Sequence, residues 1–511
     1  MASKWFCFFI NSISSLIYKR EYKRFINTSD VERVQREKLL QIIENNKNTK
    51  YGRRFKFNSI DNVLKYQQTV PLTTYEDYSE YIEKIKDGEM NILTKENVLL
   101  LEPTSGSTSA SKYIPYTDSL KREFQKALKP WIYNLYNSHR DIKWGKSYWS
   151  ITPVTKDNEY TDGGISIGFE EDSEYFGFLE KKLFEKIFAV DGSVAKVKNI
   201  DEFYYKTCLQ LLMTKNLTLI SVWNPTFLLL ILEYIEKNID KLYDEILTHD
   251  KERAKKIKKL VLNKDYEKIW SELKVISCWC DGNADKYSKN IKNIFPKVQI
   301  QPKGLLATEG VISFPFSGEN GGRLSVHSHF YEFESITDGA IYLSHEIKKG
   351  EDYSVIITTS GGLYRYRLND IVEVTDIVGV FPLLKFKGKK DKVSDMFGEK
   401  LNEDYLKNII EKNRIDSDFY MFAPEIDRYV LYIKTDNIPE SIDDVLKENF
   451  HYDYCRELGQ LKELRIFKLT GNPEQEYIDG CVKQGQRIGD IKSTALSLHS
   501  GWDKIFKGEY I

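Results

Sequence analysis

Histidine and cysteine are scarce in this chain, and no apolar run is long enough to cross a bilayer. Seven histidines and six cysteines are spread over 511 residues, and only Cys278 and Cys280 lie close together. A C-x-C pair with no second Cys or His cluster is a poor metal site. Scattered thiols fit a reducing compartment, so a cytoplasmic location is expected. His327 and His329 would share one face of a possible strand, but their neighbours offer no zinc spacing. Charge excess is missing too. Lys and Arg total 75 against 76 Asp and Glu, a net charge of −1, so nothing global recruits nucleic acid or an anionic membrane. Internal repeats, low-complexity tracts and disordered linkers are absent from the sequence.

The first apolar stretch, Trp5 to Tyr18, lacks a basic leader and a cleavage site, and Asn11, Ser12, Ser14 and Ser15 interrupt it. It is shorter than the roughly 20 residues a span requires. An amphipathic helix packed on the body is expected there, with no membrane partner. The basic stretch Lys251 to Lys259 is expected to be a solvated helix face.

Hydrophobic residues form 41% of the chain and charged residues 30%, the balance of a globular protein with room for two or three domains. Asp30 is placed to cap a helix with Val31, Val34, Leu39, Ile42 and Ile43 on one face. Asn224-Pro225 opens another helix. Strands are expected at 98–101, 217–222, 274–279 and 354–359, with helices between the earlier ones. Ser360-Gly361-Gly362 then turns into a further strand at 363–367, putting Arg365 and Arg367 on one face. After about residue 386, short strands and helices alternate in a unit of about 120 residues. The expected fold is α/β: a large amino-terminal domain (1–387) with mixed and parallel sheets, and a small mobile α+β domain (392–511) joined by a hinge near 388–391.

The sharpest chemical signal is Thr104-Ser105-Gly106-Ser107-Thr108-Ser109-Ala110-Ser111-Lys112. Backbone N–H groups in such a turn converge on phosphate oxygens, hydroxyls add donors, and the lysine adds a mobile positive charge. It is not a Walker A loop, because G-x-x-x-x-G-K-[ST] is missing.

This segment resembles the phosphate loop of the acyl-CoA synthetase, adenylation-domain and luciferase superfamily. The trailing Ile114-Pro115-Tyr116-Thr117 is more similar to the auxin-responsive-promoter family of acyl acid–amido synthetases. Ser109 replaces a glycine of that loop. Further segments follow in the order the resemblance implies. Leu305-Leu306-Ala307-Thr308-Glu309-Gly310 resembles the second adenylate segment, implying nucleotide contacts from Ala307 and Thr308 and Mg²⁺ binding by Glu309, a hard oxygen ligand. Tyr364-Arg365-Tyr366-Arg367-Leu368-Asn369-Asp370 resembles the ribose segment, with Asp370 accepting from the ribose hydroxyls. Asn369 stands where glycine is usual, and asparagine tolerates the left-handed conformation.

The segment around Cys278 to Ala284 resembles the strand whose backbone passes the adenine, which assigns Gly282 and Asn283 to the nucleotide. Gly388-Lys389-Lys390-Asp391, followed by Glu399-Lys400 and Glu403, resembles the hinge and its sequel, with Lys389 in place of the usual arginine. Gly485 to Lys492 resembles the final lysine segment, making Lys492 the catalytic lysine, with Lys483 its nearest competitor.

The resemblance implies ATP and Mg²⁺ as cofactors, with a small carboxylic acid and an amine (an amino acid) as substrates. The acid is activated as acyl-AMP with release of pyrophosphate, and the amine then takes the acyl group. Two alternatives stay open on the residues: a thioester ligase using the same adenylate, and an inactive nucleotide- or acyl-binding homologue. Nothing in the sequence sets the oligomeric state, and a monomer suffices for this chemistry. The acyl pocket is unassigned, with Trp131, Tyr133, Trp223 and Trp279 as its aromatic candidates.

Overall fold

The computed structural model describes all residues except 1–3, 105–111, 151–158, 169–184, 283, 391–392, 395, 397–398, 400, 436, 438–441 and 458–460. The chain divides into two compact units: residues 1–281 with 285–387, and residues 282–284 with 388–511.

In the first unit the amino-terminal stretch is a helix, Lys4–Ile26, and of its interrupting polar residues Asn11, Ser14 and Ser15 are buried. Asn11 donates to the carbonyls of Lys143 and Gly145 at 3.0 and 3.3 Å, and Ser15 accepts from Asn137 at 2.9 Å. Trp5, Phe9 and Leu16 stay exposed. Among the described residues no helix is long and apolar enough to cross a membrane. Asp30 caps the next helix, Val31–Asn46, by accepting from the Arg33 N–H at 2.8 Å. Thr117 likewise caps the long helix Asp118–Ser138. Asn224 caps Pro225–Lys237 with proline at the first helical position. The helix Lys251–Leu262 turns most of its lysines outward, but Arg253 is buried and donates to the Leu212 carbonyl.

Strand β1 (Leu100–Thr104) pairs with β2 (Lys112–Tyr116) as an antiparallel hairpin. Four further strands form an open parallel sheet in chain order: β3 (Lys146–Trp149), β4 (Leu217–Ser221), β5 (Val275–Cys278) and β6 (Gln299–Pro302). All four carboxyl ends therefore lie along one edge, where open α/β sheets place their ligands. The short hairpin β7 (Leu306–Ala307) and β8 (Gly310–Val311) follows. A seven-stranded sheet then has β9 (Phe330–Ser335), β10 (Asp352–Thr358) and β11 (Tyr366–Val378) as neighbours, β10 lying between the other two.

Two local expectations fail. His327 and His329 lie in a turn before β9, not in a strand. The stretch 363–365 is also not strand: Arg365 has φ +48° and β11 begins one residue later. A buried ion pair holds it there. The guanidinium donates to both oxygens of Glu332 at 3.0 and 2.9 Å and to the carbonyls of Gln67 and Val70 at 2.8 and 2.9 Å. Arg367 pairs with Glu334, two residues along β9, so both arginines do bind one sheet face.

The second unit is built on a four-stranded sheet in the order Phe419–Pro424, Tyr429–Lys434, Arg465–Leu469, Gly508–Tyr510. The middle pair is parallel and the outer pairs are antiparallel. Leu406, Ile409, Leu431 and Leu446 pack in its core.

Because Glu332 is fully buried, Arg365→Ala would leave an uncompensated charge and should destabilise the first unit by about 3–5 kcal/mol in urea unfolding. The double variant Arg365→Met/Glu332→Met should recover most of that loss. Equal instability of the two variants would show that packing, not charge, governs the site.

Candidate active site

The β1–β2 hairpin sets Thr104 opposite Lys112. Ser105, Gly106, Ser107 and Thr108, on the connecting loop, lie outside the described residues, as does Ser109. Lys112 Nζ lies 5.6 Å from the Tyr75 ring centroid, and the Tyr75 hydroxyl accepts the Tyr113 N–H at 2.8 Å. The base of the β1–β2 hairpin is thus braced from outside the loop.

Ala307 pairs with Gly310 across β7–β8, which leaves Thr308 and Glu309 as a two-residue turn, both half-buried. Tyr116, at the end of β2, donates its hydroxyl to the Thr308 carbonyl at 2.6 Å. That bond joins the phosphate hairpin to the Thr-Glu turn. Sequence reasoning gave Tyr116 no role beyond the resemblance of its segment.

Behind the turn runs a buried polar relay that the sequence does not reveal. The Val311 N–H donates to His329 Nε2 at 3.0 Å, so the ring proton sits on Nδ1 and faces Glu123 at 2.9 Å. Glu123 also pairs with Lys38 and accepts from Ser360. Burial alone would raise the Glu123 carboxyl, but Lys38 and the His329 ring overcome it and hold the group at about 2. Burial lowers His329 from the usual histidine range. The relay also dictates Gly310, since a Cβ there would come within 2.8 Å of His329 Nε2.

On β11, Asn369 has φ +60°. The pairing with β10 jumps from Ile356↔Arg367 to Ser354↔Ile371, so Leu368, Asn369 and Asp370 bulge opposite Val355. Asp370 is buried at 3% exposure. Burial pushes the Tyr366 hydroxyl far up and the Glu309 carboxylate adds to the shift, which brings the Thr-Glu turn within electrostatic reach of this strand. Thr104, Lys112, Ala307, Thr308, Glu309 and Asp370 all belong to the first unit.

The remaining predicted residues group with the second unit. Gly282 is exposed with φ +58°, and Asn283 lies outside the described residues. Lys389 is exposed at a strand end. Lys492 is exposed on an irregular segment whose carbonyl accepts the Tyr477 hydroxyl at 3.1 Å. Two residues on, the Thr494 hydroxyl and Ala495 N–H bond Glu403 at 3.1 and 2.8 Å. Glu403 thereby staples the lysine segment to the start of the helix Glu403–Lys412. Glu399 is fully buried, accepting from the Met396 N–H and the Tyr429 hydroxyl.

Among the described residues no three His, Cys, Asp or Glu side chains form a metal cluster. Cys278 and Cys280 are free thiols with sulfurs 3.8 Å apart. Mg²⁺ typically takes one or two carboxylates and completes its shell with phosphate oxygens and water. A single half-buried carboxylate, Glu309, fits that pattern.

Comparison with known proteins gives a consistent result. Residues 23–300 match the GH3 family N-terminal domain and residues 323–389 the GH3 family central domain. An indole-3-acetic acid-amido synthetase, GH3.17 of Arabidopsis thaliana, is 22% identical over 91% of each chain. A 4-substituted benzoates-glutamate ligase, GH3.12 of the same plant, is 22% identical over 93% of this chain and 94% of its own. A jasmonoyl–L-amino acid synthetase, JAR4 of Nicotiana attenuata, is 22% identical over 70% of this chain and 69% of its own. The solved structure of the GH3.15 acyl acid amido synthetase shares the fold, with a TM-score of 0.77 at 18% identity over 95% of each chain. With its amino-terminal half and its central segment both matched, the chain belongs to the GH3 family, the acyl acid amido synthetases that its sequence resembles.

Proposed function

We propose that this chain uses ATP to adenylate a small carboxylic acid and then transfers the acyl group to the amino group of an amino acid. The observation that carries this reading is the Tyr116–Thr308 bond, which sets a two-residue Thr-Glu turn beside a phosphate-loop hairpin. Relatives are named for joining indole-3-acetic acid, jasmonoyl groups or benzoates to amino acids or glutamate, and an amino acid acceptor follows them.

A carboxylate oxygen of the acid attacks the α-phosphorus of ATP, and the bond to pyrophosphate breaks in line. Thr104, Ser105, Gly106, Ser107, Thr108 and Lys112 would supply donors and positive charge to the phosphates, and the Thr308 hydroxyl would bond an α-phosphate oxygen. Asp370 receives the ribose hydroxyls, and Gly282 and Asn283 pass the adenine. Glu309 would hold Mg²⁺, which would supply charge neutralisation. Lys492 offsets the charge that builds on the carboxylate and α-phosphate, and Lys389 adds a further positive charge to the nucleotide. The amine then attacks the acyl carbon and AMP departs. No side-chain nucleophile is needed, so catalysis rests on positioning and electrostatics. Residues 1–387 and 392–511 act as domains about a hinge at 388–391, so that rotation withdraws Lys492 between the half-reactions. This chemistry suits a cytoplasmic location.

Lys492→Ala should cut acid-dependent pyrophosphate exchange by about 100- to 1000-fold, the scale of one lost oxyanion donor. Undiminished exchange would remove Lys492 from the mechanism and point to Lys483. Asp370→Ala should raise the KM for ATP more than it lowers kcat. A fall in kcat alone would contradict its ribose role. Mass spectrometry of products, with amino acids and coenzyme A both offered, should find an amide. A thioester as the sole product would overturn the acceptor assignment.

A further inference from the structure

Lys303 follows β6 directly and is 5% exposed. Its ammonium lies 4.8, 5.8 and 4.6 Å from the ring centroids of Trp131, Trp149 and Trp223. Its hydrogen-bond partner among the described residues is the Ser221 hydroxyl, at 2.9 Å, and it forms no ion pair there. An ammonium has three protons to donate, so one hydrogen bond leaves two directions open. A buried cation without a counter-charge is costly, and an apolar side chain of the same length would fill a tryptophan cage without that cost.

The surroundings repeat the pattern. Trp149, Ser221, Ser277 and Gln301 are in register across β3, β4, β5 and β6, a single row over the parallel sheet at its carboxyl edge. The indole N–H of Trp131 donates to Gln301 Oε1 at 3.2 Å. An indole cannot accept there, so the Gln301 amide orientation is fixed with its NH₂ turned the other way. That nitrogen and the Ser277 hydroxyl are both buried and have no hydrogen-bond partner among the described residues. Unused donors therefore come from a lysine, an amide and a hydroxyl in one place, and among the described residues no carboxylate answers them. The complement of such a set is an anion.

We propose that Lys303, Gln301 and Ser277 form the polar end of the acid pocket and select acids carrying a second anionic group, such as the distal carboxylate of a dicarboxylic acid. This inference rests on the adenylating reading above. The tryptophan rings form the walls, and Trp223, 37% exposed, is the wall nearest solvent. Lys303 lies five residues before Thr308, so the pocket adjoins the reacting end in sequence. The distal group binds here while the other carboxylate reacts.

Burial lowers the Lys303 ammonium to about 7, against the opposing effect of Cys278 and Cys280, the titratable groups that act on it. The charged form therefore declines as pH rises through that value. Recognition of a second carboxylate should weaken with it.

The test is pyrophosphate release by the full chain from ATP, using matched pairs of mono- and dicarboxylic acids of equal length. The wild type should favour the dicarboxylic member, with its KM rising between about pH 6 and 8 while the monocarboxylic KM stays level. Lys303→Met should raise the dicarboxylic KM roughly 30-fold and abolish its pH dependence. Ser277→Ala, a milder change, should move the same ratio in the same direction. A wild-type enzyme that turns over acids without this preference, or an unchanged ratio in both variants, would overturn the inference. Failure of every acid to release pyrophosphate would count against adenylation itself. In that event tryptophan fluorescence still tests the cage without ATP. Saturable quenching by dicarboxylic acids, lost in Lys303→Met or Ser277→Ala, supports it, and the lack of quenching refutes it.

Discussion

One buried carboxylate, Glu123, ties together the parts of the first unit on which the site depends. It rises from the helix Asp118–Ser138 and meets Lys38 from the helix Val31–Asn46, Ser360 from the turn before β11, and His329 from the turn before β9. Each contact crosses a different element boundary. Through His329 the carboxylate fixes which ring nitrogen accepts the Val311 N–H, and so fixes the strand that ends the Thr308–Glu309 turn. The proposed role of Glu309 calls for this rigidity, because electrostatic catalysis is strongest when its charges need no reorganisation.

Buried charge is handled in two ways in this unit. Arg365 and Glu332 saturate one another, with two backbone carbonyls and Gln67 taking the remaining valences. Four of the five guanidinium N–H groups are used within that set, which gives the pair a structural role. Lys303 is the opposite case, a cation enclosed by aromatic faces with its hydrogen-bonding capacity mostly unspent among the described residues. The difference follows from location. The arginine stands just before β11 and reaches Glu332 on β9, whereas the lysine stands at the carboxyl edge of the parallel sheet, the edge at which open α/β sheets place their ligands.

Local signals were legible in the sequence wherever the physics was local. Asp30 and Asn224-Pro225 announce their helices because a cap needs only its next few residues. Of the four parallel strands, β4 and β5 show as short apolar runs, whereas the flanking β3 and β6, with sequences KSYW and QIQP, carry no such signal. Long-range signals were not legible. His327 and His329 alternate like strand residues, yet Ser325 and Ser328 bond one another and hold the segment as a turn. Arg365 was placed on the correct sheet face, but its positive φ depends on Glu332, 33 residues away. Trp131 and Trp223 stood out as aromatics, while the cage they form around Lys303 is assembled from four separate segments that no local pattern links.

The departures from the superfamily pattern can now be weighed separately. A glycine before Asp370 would permit a left-handed turn, and Asn369 adopts that turn at φ +60°, as asparagine does more readily than most other side chains. The bulge then sets three residues against one, so the side chain of Asp370 is directed by a register jump that the substitution leaves intact. Lys389 is a different matter. Replacing arginine with lysine keeps the charge but gives up the fork that binds two oxygens at once. Any nucleotide contact it makes is that of a point charge, which constrains position less than a bidentate pair does. On the proposed reading, geometric precision at the nucleotide falls to the first unit, where Tyr116, His329 and the β11 bulge fix the backbone of the candidate site.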